Sequence, residues 1–306
     1  MFLADALRLI ARHGRAALVT GLIAGFALPG LAAMLKPALP AMVAGLVFIS
    51  ALRIGLRAAL GSLAQARANL WLVLTLQLGV PLMLVAILAV FGWHGSAVGL
   101  AVVLAMSGPS ISGGPALTVM LGHDPAPAMR LLILGTAILP LTVVPVFWLT
   151  PALGGLADVA LAALRLTAVI ATAVAAAFAL RRRFFPDPAP ETIRMLDGLA
   201  ALSLAIIVVG LMSAVGPTLH RDPAALAGWL ALAFAVNFGM QGLGFAVLRQ
   251  RPEAVPASVI AGNRNIALFL VALPASVTDP VLTFIGCYQV PMYLTPILMR
   301  RFYAPA

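Results

Sequence analysis

MSGPSISGGPALTVM, residues 106–120, and VIAGNRNIALF, residues 259–269, each interrupt an apolar stretch long enough to cross a bilayer. The first places Gly108, Pro109, Gly113, Gly114 and Pro115 at mid-membrane depth. Pro115 has no amide hydrogen and its ring crowds the preceding turn, while Gly113-Gly114 lack any helical preference. The second places Gly262, Asn263, Arg264 and Asn265 at a similar depth. Backbone groups freed there cannot face lipid and need protein or a water-lined cavity. Glycine and proline are also common in simple kinked membrane helices, but a polar Asn-Arg-Asn cluster in one of the two is not explained by a kink.

A spanning helix needs about 20 mostly apolar residues. The interrupted stretches lie within candidates at 97–121 and 254–275. Eight further candidates fall at 16–35, 38–57, 70–91, 129–149, 156–180, 195–215, 224–247 and 280–299. The longest connection, RRRFFPDPAPETIR at 181–194, reads as a charged loop. Of the 306 residues, 63% are apolar and 9% charged, and the mean hydropathy is +1.10. A water-soluble domain carries roughly a quarter of its residues charged, so lipid has to cover most of this surface.

A net charge of +10 raises nucleic acid as a partner, but the basic residues sit in short clusters between apolar runs, where they set topology instead. With a cytoplasmic N-terminus, the inner segments hold fifteen arginines, from Arg8 to Arg301, and the outer ones only Lys36 and Arg221. That asymmetry predicts a multi-pass protein of the inner membrane with both termini cytoplasmic. Trp71, Trp93 and Trp148 fall near span ends, as interfacial anchors do. Residues 1–15 lack a cleavable signal's features and read as an amphipathic helix lying on the membrane surface. The single cysteine, Cys287, excludes a disulfide framework within the chain and reads as a small apolar residue inside a helix.

The second half echoes the first at an offset of 151 residues, which sets Pro140 and Pro145 against Pro291 and Pro296, and Gly113-Gly114 against Arg264-Asn265. An odd number of spans per half inserts the second copy upside down. The expected fold is therefore an all-α membrane protein of ten transmembrane helices in two inverted five-helix repeats, 16–150 and 151–306. Helices 4 and 9 would be discontinuous and cross. Interrupted helices at equivalent places in two halves are the best sequence pointer to a carrier's binding site.

The candidate binding residues are Arg264, Asn263, Asn265, Ser112, Gly113, Gly114, Thr118, Gln77 and Gln289. Arg264 lies about ten residues from either end of its span, too deep to snorkel easily. It either fixes the crossing or binds an anion, since its fork suits a carboxylate, sulfonate or phosphate. Asn263 and Asn265 can cap freed backbone or contact a ligand. Tyr288, Asn237 and Gln241 are weaker candidates, because polar side chains often simply bond between helices. Arg165 is expected to pair with Asp158 or Asp279. No carboxylate falls at mid-membrane depth and the four histidines lie in loops or at span ends. A buried proton relay, a metal cluster and a catalytic triad are all disfavoured, so the chain does not read as an enzyme, and no cofactor is expected.

In these segments the chain resembles the bile acid:sodium symporter family, within the superfamily that includes arsenite and auxin-efflux carriers. The resemblance covers the whole chain in length and span count and is carried by particular residues: Gly113-Gly114-Pro115-Ala116-Leu117-Thr118-Val119-Met120, then Gly262-Asn263-Arg264-Asn265, and Gln77 before Pro81. It implies a panel of spans 1, 2, 6 and 7 moving against a core of spans 3–5 and 8–10. It also implies sodium ligands at positions that here carry Ile260, Arg264, Leu117-Thr118, Ala128 and Leu132. Sodium prefers oxygen ligands, and a guanidinium at 4 Å would repel it by about 4 kcal/mol at an effective dielectric near 20. Gln77 and Asn265 are the remaining sodium candidates. The expected function is alternating-access transport of a small organic anion within the lipid bilayer, with an open coupling ion. The alternatives are a sodium-coupled symporter and a membrane receptor that binds without transport.

Overall fold

The computed structural model describes residues 2–64 and 66–304. Met1 and residues 305–306, at the outer limits of the expected segments, lie outside the described residues. The chain is nearly all helical, 84% of it, with no strand among the described residues. Its helices are α1 (Phe2–Arg12), α2 (Gly14–Ala27), α3 (Pro29–Ile54), α4 (Leu56–Ala64), α5 (Asn69–Val90) and α6 (Ala97–Ser107). There follow α7 (Gly114–Met120), α8 (Ala126–Trp148), α9 (Leu156–Phe184), α10 (Pro190–Arg221), α11 (Pro223–Leu248), α12 (Ala254–Gly262) and α13 (Ala275–Leu298).

Seven of these, α3, α5, α8, α9, α10, α11 and α13, are long and apolar enough to cross a membrane. Large apolar side chains stand outward on them: Trp71, Val90, Leu141 and Val247 are all more than 70% exposed. Water would not tolerate that surface, so this is a multi-pass membrane protein whose solvent is the bilayer. Trp93 and Trp148 are exposed as well.

The other three expected segments are not single long helices. The stretch 16–35 is divided by Leu28 (φ −119°, ψ 68°), where the chain reverses. Gly25 lies at Val209 and Met212 of α10, Leu39 of α3 lies at Gly210, and Arg53 reaches Asp197. Thus α2 runs parallel to α10 and α3 antiparallel to it. Pro29, at the first position of α3, supplies the fixed φ that restarts the helix. The stretches 97–121 and 254–275 are each broken in the middle, as described below.

The helices pack in two groups. In one, α1, α2 and α3 surround α10, and α9 lies along α3. In the other, α11 packs on α12 and α13, while α8 packs on α5, α7 and α12. The groups meet where α8 touches α9, where the turn Ile266–Val271 touches α3, and where α13 touches α10. Small residues permit the closest approaches, as is usual between membrane helices. Helix α1 is held against α10 at Gly198, where a Cβ would collide with the Leu7 carbonyl. Gly198→Val is therefore expected to displace α1. In sealed membranes, trypsin should then cut at Arg8 and Arg12 faster than in the unsubstituted protein, with the remaining helices protected. Equal cleavage would show that the contact does not hold α1.

Polar contacts at the two ends follow the charge pattern. Lys36 pairs with Asp279 at 2.9 Å, and Arg53 pairs with Asp197. Arg181 donates to the Leu52 and Arg53 carbonyls, both at 2.8 Å. Arg165 does not take the expected carboxylate. It donates to the Ala272 carbonyl at 3.3 Å, because Asp158 accepts from the Gly155 amide and Asp279 is taken by Lys36.

Candidate functional site

The two broken segments meet. Helix α6 ends at Ser107 because Gly108 is extended (φ −61°, ψ 152°), as a residue preceding proline prefers. Helix α12 ends at Gly262, and Asn263 and Asn265 are both non-helical (ψ 87° and 75°). Residues 109–111 and 263–265 then lie antiparallel, with Ser110 opposite Arg264. The Ile111 amide donates to the Asn263 carbonyl at 3.1 Å and the Asn265 amide to the Pro109 carbonyl at 2.8 Å. Each break thus satisfies a backbone group that the other has freed. Gly108 is close enough to the Asn265 backbone that a Cβ would approach it to 3.2 Å.

Arg264 is buried, 2% exposed, and its Nη2 donates to the Leu76 carbonyl and, at 3.0 Å, to the Met106 carbonyl. One acceptor is orphaned by a proline and the other by the end of its helix. Leu76 lies in a π turn, Thr75–Gly79, in which the Val80 amide reaches back five residues to Thr75. In that register Leu76 would be served by residue 81, which is Pro81 and has no hydrogen to give. Met106 loses its helical partner where Gly108-Pro109 leaves the helix. None of the ion pairs among the described residues includes Arg264, and its Nε is buried without a partner.

The second break contains no proline and is held by a buried polar network. Asn237 Nδ2 and Tyr288 Oη both donate to the Gly262 carbonyl at 2.6 Å. Asn263 Nδ2 donates to the Val259 carbonyl at 2.8 Å, and its Oδ1 accepts from Thr295 at 3.2 Å. Gln241 donates to Asn237 Oδ1 (2.7 Å) and to Thr295 Oγ1 (3.0 Å), and accepts from Tyr303 Oη at 3.1 Å. Burial pushes the Tyr303 phenol above its usual value, so it stays a donor. Asn237, Gln241 and Tyr288 therefore brace the break.

Two cavities flank the crossing, at the junction of the helix groups. One, of about 320 Å³, lies between α3, α8 and α9 and is mostly aliphatic, with Ser50, Ser110, Ser112, Thr136, Thr167 and Asn265 as its polar groups. The other, of about 270 Å³, lies between α2, α3, α7 and α10 and includes Arg53, Asp197 and Gly113. They share Ser50, Ile54, Ser112 and Leu132. Ser50 donates to Ser112 at 3.1 Å on that shared wall.

The predicted residues divide accordingly. Ser112, Gly113 and Asn265 line these cavities. Arg264 and Gln289 line only a space of about 30 Å³, room for one water. Gln77 donates to the Gly135 carbonyl at 3.2 Å, Thr118 to the Gly114 carbonyl at 3.0 Å, and Asn263 belongs to the network above. Gly114 provides close packing, since a Cβ would lie 2.6 Å from Ile260 and 2.7 Å from Ser110. Ser50, Ser110, Thr136 and Thr167 escaped sequence reasoning, because small hydroxyl residues in apolar helices usually bond their own backbone. Arg53 was read only as a topology signal, and Asp197 only as a carboxylate near a span end.

The positions where the resemblance implies sodium do not fit that ion. Ala128 and Ile260 belong to one apolar cluster, Gln77 is turned to Gly135, and Arg264 fills its site with a fixed positive charge. The chain matches no protein-family model, and a search of curated proteins returned no match.

Proposed function

We propose that this membrane protein is a secondary carrier that moves a small organic anion by alternating access, with its site beside the crossing of the two broken segments. The observation that carries this is the cavity at the antiparallel crossing, reached by Ser112 and Asn265 next to a buried guanidinium without a carboxylate partner. An uncompensated positive charge in a low-dielectric wall favours an anion in the adjoining space and disfavours a cation. Aliphatic walls favour an apolar body.

The proposal takes the ten-span arrangement with it. On this reading the group containing α2, α3, α9 and α10 is the moving panel, and the remainder is the core. Two broken segments in corresponding places, and basic end groups that gather as inner-side residues should, support the two inverted halves. Lys36 with Asp279 would mark the outer end, and Arg53, Arg181 and Asp197 the inner end.

Arg264 takes up the carbonyls that a coupling cation would otherwise use, so transport is expected not to require sodium. Purified protein should be stabilised by organic anions equally in sodium and choline salts, since a ligand stabilises by mass action whatever the counterion. Uptake into vesicles should behave likewise. Stabilisation by organic cations alone would overturn the anion assignment. Uptake that stops in choline would overturn the sodium independence.

A further inference from the structure

Among the described residues that line the two cavities flanking the crossing, Arg53 and Asp197 alone are charged. We infer that Arg53 of this pair, rather than the enclosed Arg264, makes the direct contact with the transported anion, which displaces Asp197 from it. The inference rests on the anion-carrier reading and adds to it the recognising group.

Four observations lead there. Arg264 has its Nη2 committed to the Leu76 and Met106 carbonyls and faces a space that holds one water. Arg53 stands one helical turn beyond Ser50, whose hydroxyl meets Ser112 at the wall shared by both cavities. Its Nε is paired with Asp197, and the two side chains are only about a third exposed (32% and 34%). Finally, the end of α3 that presents Arg53 is pinned: Arg181 donates to the Leu52 and Arg53 carbonyls, and Gly55 (φ +76°) closes the helix against that guanidinium. The panel thus carries a prepositioned cation at the polar end of a cavity that is otherwise apolar.

Charge balance fits one anion. In the unloaded site Arg53 and Asp197 sum to zero and Arg264 leaves one positive charge in the adjoining wall, so a monoanion that pairs with Arg53 brings the total to zero. Arg264 thus supplies the excess charge and Arg53 the contact, for which the anion competes with Asp197. The other ionisable groups near this end do not serve that purpose. Arg8 pairs with Asp5 on α1, Arg57 with Asp187, and Glu191 with Arg194 on α10 itself. Arg181 on α9 is bound to the α3 carbonyls, exposed Arg12 ends α1, and His13 is turned to the Leu9 carbonyl.

The full-length protein in sodium-free nanodiscs, titrated calorimetrically with naphthalene-2-sulfonate and its neutral analogue naphthalene-2-sulfonamide, tests this. The sulfonate is ionised and the sulfonamide neutral at pH 7, so the two differ in charge and little in shape. The unsubstituted protein is expected to bind the sulfonate at least tenfold more tightly. Asp197→Asn, which removes the carboxylate that competes for Arg53, should bind the sulfonate more tightly still. Arg53→Gln and the double variant Arg53→Gln/Asp197→Asn should lose the sulfonate at least tenfold while keeping the sulfonamide, which also reports that the cavity is folded. Sulfonate binding unchanged by Arg53→Gln, or weakened by Asp197→Asn, overturns the inference and leaves the anion carrier standing. No preference of the unsubstituted protein for sulfonate over sulfonamide overturns both.

Discussion

Arg264→Ala is expected to lower the thermal midpoint of the purified protein by on the order of 10 °C, from a loss of about 3 kcal/mol. Two buried carbonyls, those of Leu76 and Met106, would lose their donor together. An unsatisfied buried acceptor costs about 1–3 kcal/mol, and removal of an unpaired charge offsets part of the sum. Arg264→Lys should retain part of the stability, because an ammonium offers donors but not the planar fork. A sharper version uses Pro81. In Pro81→Ala an amide hydrogen becomes available where Leu76 lacks one, so Arg264→Ala should cost less there, with a coupling of about 1 kcal/mol. Strictly additive effects of the two substitutions would refute the account of Arg264 as the donor for the carbonyl that Pro81 orphans.

Gly262→Ala should be at least as damaging. A Cβ at Gly262 would run into the Asn237 carbonyl and the Gln241 side chain, neither of which can retreat without breaking the network that ends α12. Overpacking a rigid contact costs about 1–3 kcal/mol, and displaced hydrogen bonds to the Gly262 carbonyl add to it. A total near 4 kcal/mol would leave little folded protein in detergent. Gly239→Ala and Gly242→Ala, in the facing helix α11, are the controls. Space is open at both positions, and each should leave the midpoint unchanged or raise it slightly through helix propensity. Expression and midpoint of Gly262→Ala equal to these controls would show that the helices are not in contact as described.

Much of the architecture was readable because lipid imposes a simple code. Apolar stretches of bilayer length announce helices whatever packs beside them, and Pro109, Pro115 and the Asn-Arg-Asn cluster announce breaks because a helix cannot pass through them without freed backbone groups. The reversal at Leu28 was not readable. Residues 26–35, FALPGLAAML, stay apolar through the turn, so no polarity marks it, and Pro29 alone does not distinguish a kink from a reversal. Its position is set by α10, along which α2 and α3 run in opposite senses. Likewise Arg165 was assigned the nearest carboxylates, while its acceptor is a carbonyl more than a hundred residues away.

The candidate site shows the same division. That Arg264 is too deep to reach water and must meet something polar follows from its place in the span. That it meets the Leu76 and Met106 carbonyls does not, because those acceptors are free only where Pro81 and the end of α6 have removed their partners and the fold brings all three segments together. Asn263 and Asn265 are equivalent in sequence, yet one is enclosed in the bracing network and the other lines the cavities. Arg53 and Asp197 look like ordinary end-of-helix charges until α3 and α10 are set antiparallel. Composition and order along the chain determined the solvent, the helices and the places where they break, since each depends on local chemistry. Tertiary structure alone decided which freed groups satisfy one another and which remain for a ligand, because a hydrogen bond between segments depends on where both partners lie in space.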